Sequence, residues 1–469
     1  MNVLRLAATT CFAMLAFASS GALGVPVSGW ILDTSFGGGA TASLTAANTS
    51  SPILGNGAAN NADNVALYAP MSLVSLADGQ QVVLTGSAEI IGSASVGDLR
   101  WGLFKDDGVA PAYAGWLGYM GSAESIVWSK DPAGTSFNTT TFASIASGRG
   151  FTLGQASEPN GKLFDPGTYA INMIVKRFGN EALVKVSVAN SVSGFGIETL
   201  FYSESNASRR TFAFDRVGIL SGSALDADQI RFSNVDVVAS DIQAPTLKVY
   251  SSGLAFITNS TNQAYDLTQY EITSAAGSLS TTNWLSLDDQ EDGDPVAMGW
   301  DEAGGSTANA IGEVNLLSST TLTNGASLRL GQAFKAGFPK DLAFQFTAGS
   351  GVTRAPVKYA LTGDYNGNGT VDAADYVVWR NSLGQNVAYG SAADGDGDGV
   401  IGAGDYAAWR GAFGTTLAPA AAAAASVPEP TTIAFVVLAS VVPIGLWPIR
   451  RRSDGWRSLA AVDSEGKTT

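Results

Sequence analysis

The stretch TYAINMIVKRFGNEALVKVSVA (residues 168–189) reads as two strands joined by a turn. Tyr169, Ile171, Met173 and Val175 recur at every second position, as do Ala182, Val184, Val186 and Val188, with Lys185 and Ser187 on the opposite side. A period of two puts one apolar row on one face of a strand, whereas a helix needs apolar spacings of three and four. Phe178-Gly179-Asn180 supplies turn chemistry between the rows, so the segment is a β-hairpin. Shorter pairs continue the signal: Phe212/Phe214, Val217/Ile219, Ile230/Phe232 and Val235/Val237. The last two pairs differ in parity, which predicts a bulge near Asn234. Many short strands without a long helical period predict a mainly β protein, with residues 25–244 as a β-sandwich.

Composition narrows the function classes. Lys and Arg total 26 against 41 Asp and Glu, a net charge of −15, and no basic run exists to track a phosphate backbone. Nucleic acid is excluded as a partner on that ground. The absence of histidine removes a Ser-His-Asp triad and histidine-ligated metal catalysis. The single cysteine, Cys11, lies in an apolar leader. Residues 1–24 open with Arg5, continue with an apolar run over 6–17, and end with Ala22 and Gly24 at the −3 and −1 positions before Val25. This is the pattern of a secretory signal peptide, so the expected mature chain is exported and has no thiol.

The runs DLRWGLFKDDG (98–108) and FDRVGILSGSALDADQIRFSNVDVV (214–238) resemble the concanavalin A/laminin-G-like family. The resemblance implies a jelly roll and a lectin or glycosidase activity. A retaining glycosidase needs two carboxyls about 5–5.5 Å apart. On one strand such a pair reads Glu-x-Asp-x-Glu, a pattern missing here, and Glu89, Glu124, Glu158 and Glu198 stand isolated. The expected function is therefore non-enzymatic. The alternative is a divergent carbohydrate-active enzyme whose carboxyls converge only in three dimensions. Trp101, Trp116 and Trp128 are either flat faces for a pyranose ring or core residues.

Residues 245–361 carry a second set of strand signals, among them TLKVYSSGLAFITNS (246–260) and DLAFQFTA (341–348), where Leu342, Phe344 and Phe346 alternate. A second, smaller β-sandwich is expected. Its loop over 288–302 is crowded with acids and reads either as a solvated loop or as a further calcium site.

Residues 362–416 repeat one unit. GDYNGNGTVDAADYVVWR (363–380) and ADGDGDGVIGAGDYAAWR (393–410) share their spacing. Counted from Asp364, side-chain oxygens fall at positions 1, 3, 5, 9 and 12 (Asp364, Asn366, Asn368, Asp372, Asp375), with Gly369 at position 6. Counted from Asp394, they fall at 1, 3, 5 and 12 (Asp394, Asp396, Asp398, Asp405), with Gly399 at 6 and Gly402 at 9. Position 7, Thr370 or Val400, would contribute its backbone carbonyl. A 12-residue loop of hard oxygens suits calcium, which takes six to eight of them at about 2.3–2.6 Å. Two ions are expected, bound more weakly in the first loop, where amides replace two carboxylates. Tyr376, Trp379 and Leu383 recur as Tyr406, Trp409 and Phe413, spacings that place each trio on one helix face. The two faces are expected to pack on each other, and Gly384 and Gly414 to end the helices. This paired EF-hand-like loop-helix unit resembles a dockerin type I module. The resemblance implies docking to a cohesin-like β-sandwich near loop positions 10 and 11, here Ala373-Ala374 and Ala403-Gly404. Tyr-x-x-Trp-Arg departs from the aliphatic and lysine pattern of cellulosomal dockerins.

An Ala-rich linker (417–426) leads to Val427-Pro428-Glu429-Pro430, an apolar span over 433–449, and Arg450, Arg451 and Arg452. A charge-free run of this length followed by arginines fits a membrane span with its C-terminal end inside. The segment 427–469 resembles the PEP-CTERM sorting signal, which implies processing by an exosortase. The whole chain reads as an exported protein of the cell surface or matrix that attaches to carbohydrate or protein. A purely structural surface-layer component is the remaining alternative.

Overall fold

The computed structural model describes residues 24–417 apart from 34–41, 63–64, 93–97, 109–112, 114, 123–126, 131–141, 147–150, 153–163, 205, 223–224, 291–298, 303 and 350. Residues 1–23 of the 1–24 leader, the Ala-rich linker beyond Leu417 and the segment 427–469 with Pro428, Glu429, Pro430, Arg450, Arg451 and Arg452 lie outside these residues. Among the described residues, no helix is long and apolar enough to cross a membrane. The expected span at 433–449 is not among them.

The hairpin forms as its pattern dictates. Gly167–Phe178 pairs with Glu181–Ala189, in register from Ala170 opposite Ala189 to Phe178 opposite Glu181. Gly179, at φ 58°, is the first residue of the two-residue loop, a position that favours glycine because the turn must match the strands' twist. The pair sits in a ten-stranded sheet. Beside it, Gln80–Gly92 and Ala227–Asp241 extend the sheet, all antiparallel. The parity break is a bulge: the pairing of Ala227–Asp241 shifts between Ser233 and Asp236, and Asn234 takes a φ of 53°.

A seven-stranded sheet lies against it, in the order Phe142–Ala146, Val127–Lys130, Leu117–Ser122, Leu99–Lys105, Ala213–Ser221, Val65–Ser75 and Ile31–Asp33. The inward rows of both sheets form one core, including Leu67, Leu103, Tyr119, Tyr169, Met173, Val184 and Ile219. Burying each such side chain contributes about 1.5–3 kcal/mol. At Gly121 the sheets come so close that a Cβ would collide with Val186.

A second β-sandwich follows. Its four-stranded sheet runs Ser327–Arg329, Ala255–Thr258, Thr246–Tyr250 and Val357–Ala360. Its six-stranded sheet is centred on Tyr265–Ser274, flanked by Ala310–Asn315 and Leu342–Ala348. Phe344 and Phe346 point into its core as their alternation predicts. The pair Thr246–Tyr250 and Val357–Ala360 is parallel, so the end of this unit lies beside its beginning. Phe178, at the tip of the first hairpin, is buried in this second core. The protein is mostly β, with sandwich-like sheets and two C-terminal helices, α1 (Ala373–Ser382) and α2 (Ala403–Ala412).

Candidate metal centre

Each helix grows out of a loop that its own aspartate closes. Asp375 accepts from the amides of Asn366 at 2.9 Å and Asp372 at 2.8 Å. Asp405 accepts from those of Gly395 at 2.7 Å and Gly402 at 2.6 Å. Both position-12 carboxylates are fully buried, so these bonds hold each loop's start against its helix. Asp372 also caps α1, accepting from Ala374 N at 2.7 Å. Gly402 at the same place in the second loop offers no side-chain cap.

Position 1 organises each turn. Asp364 accepts from the amides of Asn368 at 3.1 Å and Gly369 at 2.8 Å. Asp394 accepts from four: Gly390 at 2.8 Å, Gly397 at 2.9 Å, and Asp398 and Gly399 at 3.1 Å each. The sequence reading singled out the position-6 glycines, at φ 84° and 81°. Position 4 needs glycine equally, with Gly367 at 72° and Gly397 at 74°.

In the second loop, Asp394, Asp396 and Asp398 converge, with one oxygen of each within 4.8 Å of the others. No second group of three acidic side chains converges this way among the described residues. The acidic loop at 288–302 falls partly outside them. Its beginning is pinned by buried Glu313, which accepts from Leu287 N at 2.9 Å and Asp288 N at 2.8 Å. In the first loop, Asn366 and Asn368 stand where the second has Asp396 and Asp398. Burial pushes the carboxyls of Asp394 and Asp396 above the usual range, and the charge of Asp405 pushes in the same direction.

The donor set fits calcium. It consists of hard oxygens on a sharply turned backbone, and in the second loop three carboxylates stand close enough together to share one cation.

The two loop-helix units embrace each other. Tyr376 lies 5.3 Å from Trp409, and Trp379 lies 5.1 Å from Tyr406, ring centre to ring centre. Gly384 and Gly414 end the helices at φ 84° and 87°, and each amide donates to the opposite loop, to Ile401 O at 2.8 Å and Val371 O at 2.9 Å. One part of the expected aromatic face is different. Leu383 and Phe413 are 44% and 55% exposed, each at the C-cap position where the helical backbone has ended. Ala373, Ala374, Ala403 and Gly404 are exposed.

Three contributors were not singled out from the sequence. Tyr365 crosses from the first loop to donate to Asp405 O at 2.7 Å. Tyr250 and Lys248, in the second sandwich, donate to Gly390 O at 2.7 and 2.9 Å. No local periodicity marks these residues, whose role comes from long-range packing.

The tryptophans considered for sugar stacking are core residues. Trp101 is fully buried and donates to Asn172 O of the facing sheet at 2.9 Å. Trp116 and Trp128 are buried on the other face of the seven-stranded sheet, where Trp116 packs on Tyr68 and Tyr113 and donates to Asp106 at 2.9 Å. Of the four isolated glutamates, Glu89 pairs with Arg231 and Glu198 with Lys185. Glu124 and Glu158 lie outside the described residues.

The C-terminal unit is thus a paired calcium-type loop-helix module by geometry. Residues 362–409 match the dockerin type I domain family. No curated protein sequence matches the chain. Among solved structures, the chain is similar to the metal-free carbohydrate recognition domain of Emp46p, at 12% identity over 45% of this chain and 88% of that one, with a TM-score of 0.28. It is similar to lectin I-B4 of Griffonia simplicifolia in metal-free form, at 14% identity over 47% and 99%, TM-score 0.28. Arcelin-5, a lectin-like defense protein of Phaseolus vulgaris, matches at 10% identity over 46% and 96%, TM-score 0.27.

Proposed function

We propose that this chain is a non-enzymatic, exported attachment protein whose C-terminal module binds two calcium ions and docks to a partner protein. The observation that carries the reading is the convergence of Asp394, Asp396 and Asp398 within a segment that matches the dockerin family. The first ion would be held by Asp364, Asn366, Asn368, the Thr370 carbonyl, Asp372 and Asp375. The second would be held by Asp394, Asp396, Asp398, the Val400 carbonyl and Asp405. Bound calcium supplies the positive charge that lets these oxygens stay close together. Because metal binding to a small module is also folding energy, the helices are presented to the partner only when the loops are filled.

The partner is a cohesin-like β-sandwich. Exposed Tyr376, Val377 and Phe413 give α1 and the end of α2 an apolar surface for it, beside Ala373-Ala374. Docking to protein is favoured over glycan binding because Trp101, Trp116 and Trp128 are buried. Export through residues 1–24 and exosortase processing at Pro428-Glu429-Pro430 belong to the same proposal and rest on the sequence. They place the protein at the cell surface or in the matrix.

The test is calorimetric titration of the chain with calcium, followed by pull-down with a cohesin-like β-sandwich, with and without chelator. Two ions bound and chelator-sensitive retention support the reading. No calcium binding overturns it, and retention that ignores chelator removes the docking role of the loops.

A further inference from the structure

The two calcium loops are alike in sequence but differently seated. The first is open: Asp364 is half-buried, and a Cβ added at Gly367 would meet nothing within 4 Å. The second lies flat on the neighbouring β-sandwich. A Cβ at Gly390 would come within 2.6 Å of the Phe256 ring, and one at Gly397 within 2.8 Å of it. Phe256 is fully buried, held edge-on by Tyr250 at 5.9 Å between ring centres.

A chain of hydrogen bonds runs from the sandwich to the metal ligands. Tyr250 Oη and Lys248 Nζ donate to the carbonyl of Gly390 at 2.7 and 2.9 Å. The amide of that same glycine donates to Asp394 Oδ2 at 2.8 Å. Gly390 is therefore clamped between the strand Thr246–Tyr250 and the position-1 carboxylate, which is only 1% exposed. Ser327 Oγ fixes the preceding residue through Tyr389 O at 2.7 Å.

We propose that the second loop is a composite metal site, in which Tyr250, Lys248 and Phe256 of the β-sandwich are positioning residues for the cation held by Asp394, Asp396 and Asp398. Three carboxylates repel one another, and an open loop relaxes by splaying them. Here Phe256 is a floor that the loop backbone cannot pass, and the Gly390 clamp fixes where Asp394 stands. The Lys248 charge is felt at Asp394 from the far side of Gly390, and also at Asp364, so it lowers the repulsion without filling the ion's place, while the clamp and the floor are peculiar to the second loop. Coupling is reciprocal: what tightens the ion in the second loop also fastens the module to the sandwich. The first loop has no comparable backbone clamp or aromatic floor, so the sandwich acts chiefly on the second.

This inference rests on the calcium reading, and its test separates the two. Calcium is titrated calorimetrically into the full chain and into Tyr250→Phe and Phe256→Leu. Asn366→Ala and Asp396→Ala assign the two binding events to their loops. Outer-shell partners of a metal typically govern affinity by about 10–100-fold. Both sandwich variants are expected to weaken the second event by about 10-fold and the first by much less. Tyr250→Phe removes one hydroxyl and keeps the ring, so its effect cannot be ascribed to a lost fold. A second readout is hydrogen exchange at the amides of Gly390 and Gly397. Protection there should require calcium, vanish in Asp396→Ala and persist in Asn366→Ala. Two ions bound with unchanged constants in both sandwich variants would overturn the composite site alone, as would protection at Gly390 that ignores calcium. A wild-type chain that binds no calcium overturns the calcium reading and this inference together.

Discussion

The indole N–H of Trp379 donates to the carbonyl of Gly402 at 2.8 Å, so the first helix holds the ninth residue of the second loop. Trp409 makes the mirror-image bond, donating to Asp372 O at 2.8 Å. Each tryptophan thereby serves the loop that is not its own.

Exchange of function between the halves predicts crossed effects. Trp379→Phe keeps the aromatic packing but leaves the Gly402 carbonyl only the Tyr406 amide as donor, at a cost of about 0.5–1.5 kcal/mol. Its calcium defect should fall on the second loop, and that of Trp409→Phe on the first. Calorimetric titration of the two variants reads this directly. A defect confined to the loop on the mutated helix would refute the crossed arrangement.

A single methyl group should disable the second loop. Gly404 lies against Asp396, whose carboxylate a Cβ at that position would strike. Gly404→Ala is therefore expected to push Asp396 off its position and weaken the second calcium by about 10-fold or more. The helix itself should gain slightly, since alanine is the better helix former by about 1 kcal/mol. A lower calcium affinity together with an unchanged or firmer helix by circular dichroism is the expected pair of results.

Removing calcium should unfold locally. The loop-helix module buries few apolar residues of its own, chiefly Trp379, Ala393 and Ile401. The sandwiches have large separate cores. With calcium at a hundred times its dissociation constant, binding adds about 2.7 kcal/mol per ion. Chelator is expected to bring forward a small thermal transition and to erase most of the helical signal, leaving the main β transition in place. A single transition that shifts as a whole would contradict local stabilisation.

What the sequence revealed and what it withheld follow from the range of the interactions. The hairpin at 168–189, the bulge at Asn234 and the oxygen spacing of the loops are local patterns, written in neighbouring residues. Gly384 and Gly414 were legible as helix stops for the same reason. The partners of those glycines' amides were not, because Ile401 and Val371 belong to the opposite unit. Phe178 reads as part of a turn, yet it is a core residue of the next sandwich. Tyr250 and Phe256 read as ordinary strand residues, and only the folded chain brings Gly390 onto them. Trp101 shows the converse: its apolar surface was visible, but burial rather than sequence decides between core and platform.

Lys176 predicts a pH dependence. Burial, reinforced by the neighbouring Lys185, pulls its ammonium down from 10.5 to about 8, over the ring of Phe201 at 4.5 Å. Below the folded value both states are protonated, and the fold bears the full cost of burying a charge. As pH rises from about 8 towards 10.5, the unfolded chain keeps a proton that the folded chain has released, so stability rises. The effect is about 2 kcal/mol, less than the full shift because the side chain stays half-buried and solvent screens it. Lys176→Met should be more stable than wild type at pH 7, and the difference should shrink across that window in pH-resolved urea denaturation. A difference that is constant with pH would assign the gain to packing instead.

Phe178 predicts how the two sandwiches unfold. It caps the first sandwich's hairpin yet is buried in the core of the second, under Arg354 at 5.6 Å from its ring. Arg354 also pairs with Glu181 of the hairpin at 3.2 Å. The backbone adds Ile242 N to Gly79 O at 2.9 Å and Gly79 N to Arg177 O at 3.0 Å. Phe178→Ala leaves a ring-sized hole and is expected to cost about 3–5 kcal/mol, because the rigid sheets around it cannot collapse to fill it. The loss should appear in the second sandwich, whose core the ring belongs to, although the mutated residue lies in the first. Calorimetry should then resolve two β transitions where the wild type gives one, with the earlier one lowered. Arg354→Ala, which removes the half-buried partner and keeps the ring, should shift the same transition by about 1 kcal/mol at most. If Phe178→Ala lowered the first sandwich and spared the second, the ring would be serving its own hairpin rather than joining the two units.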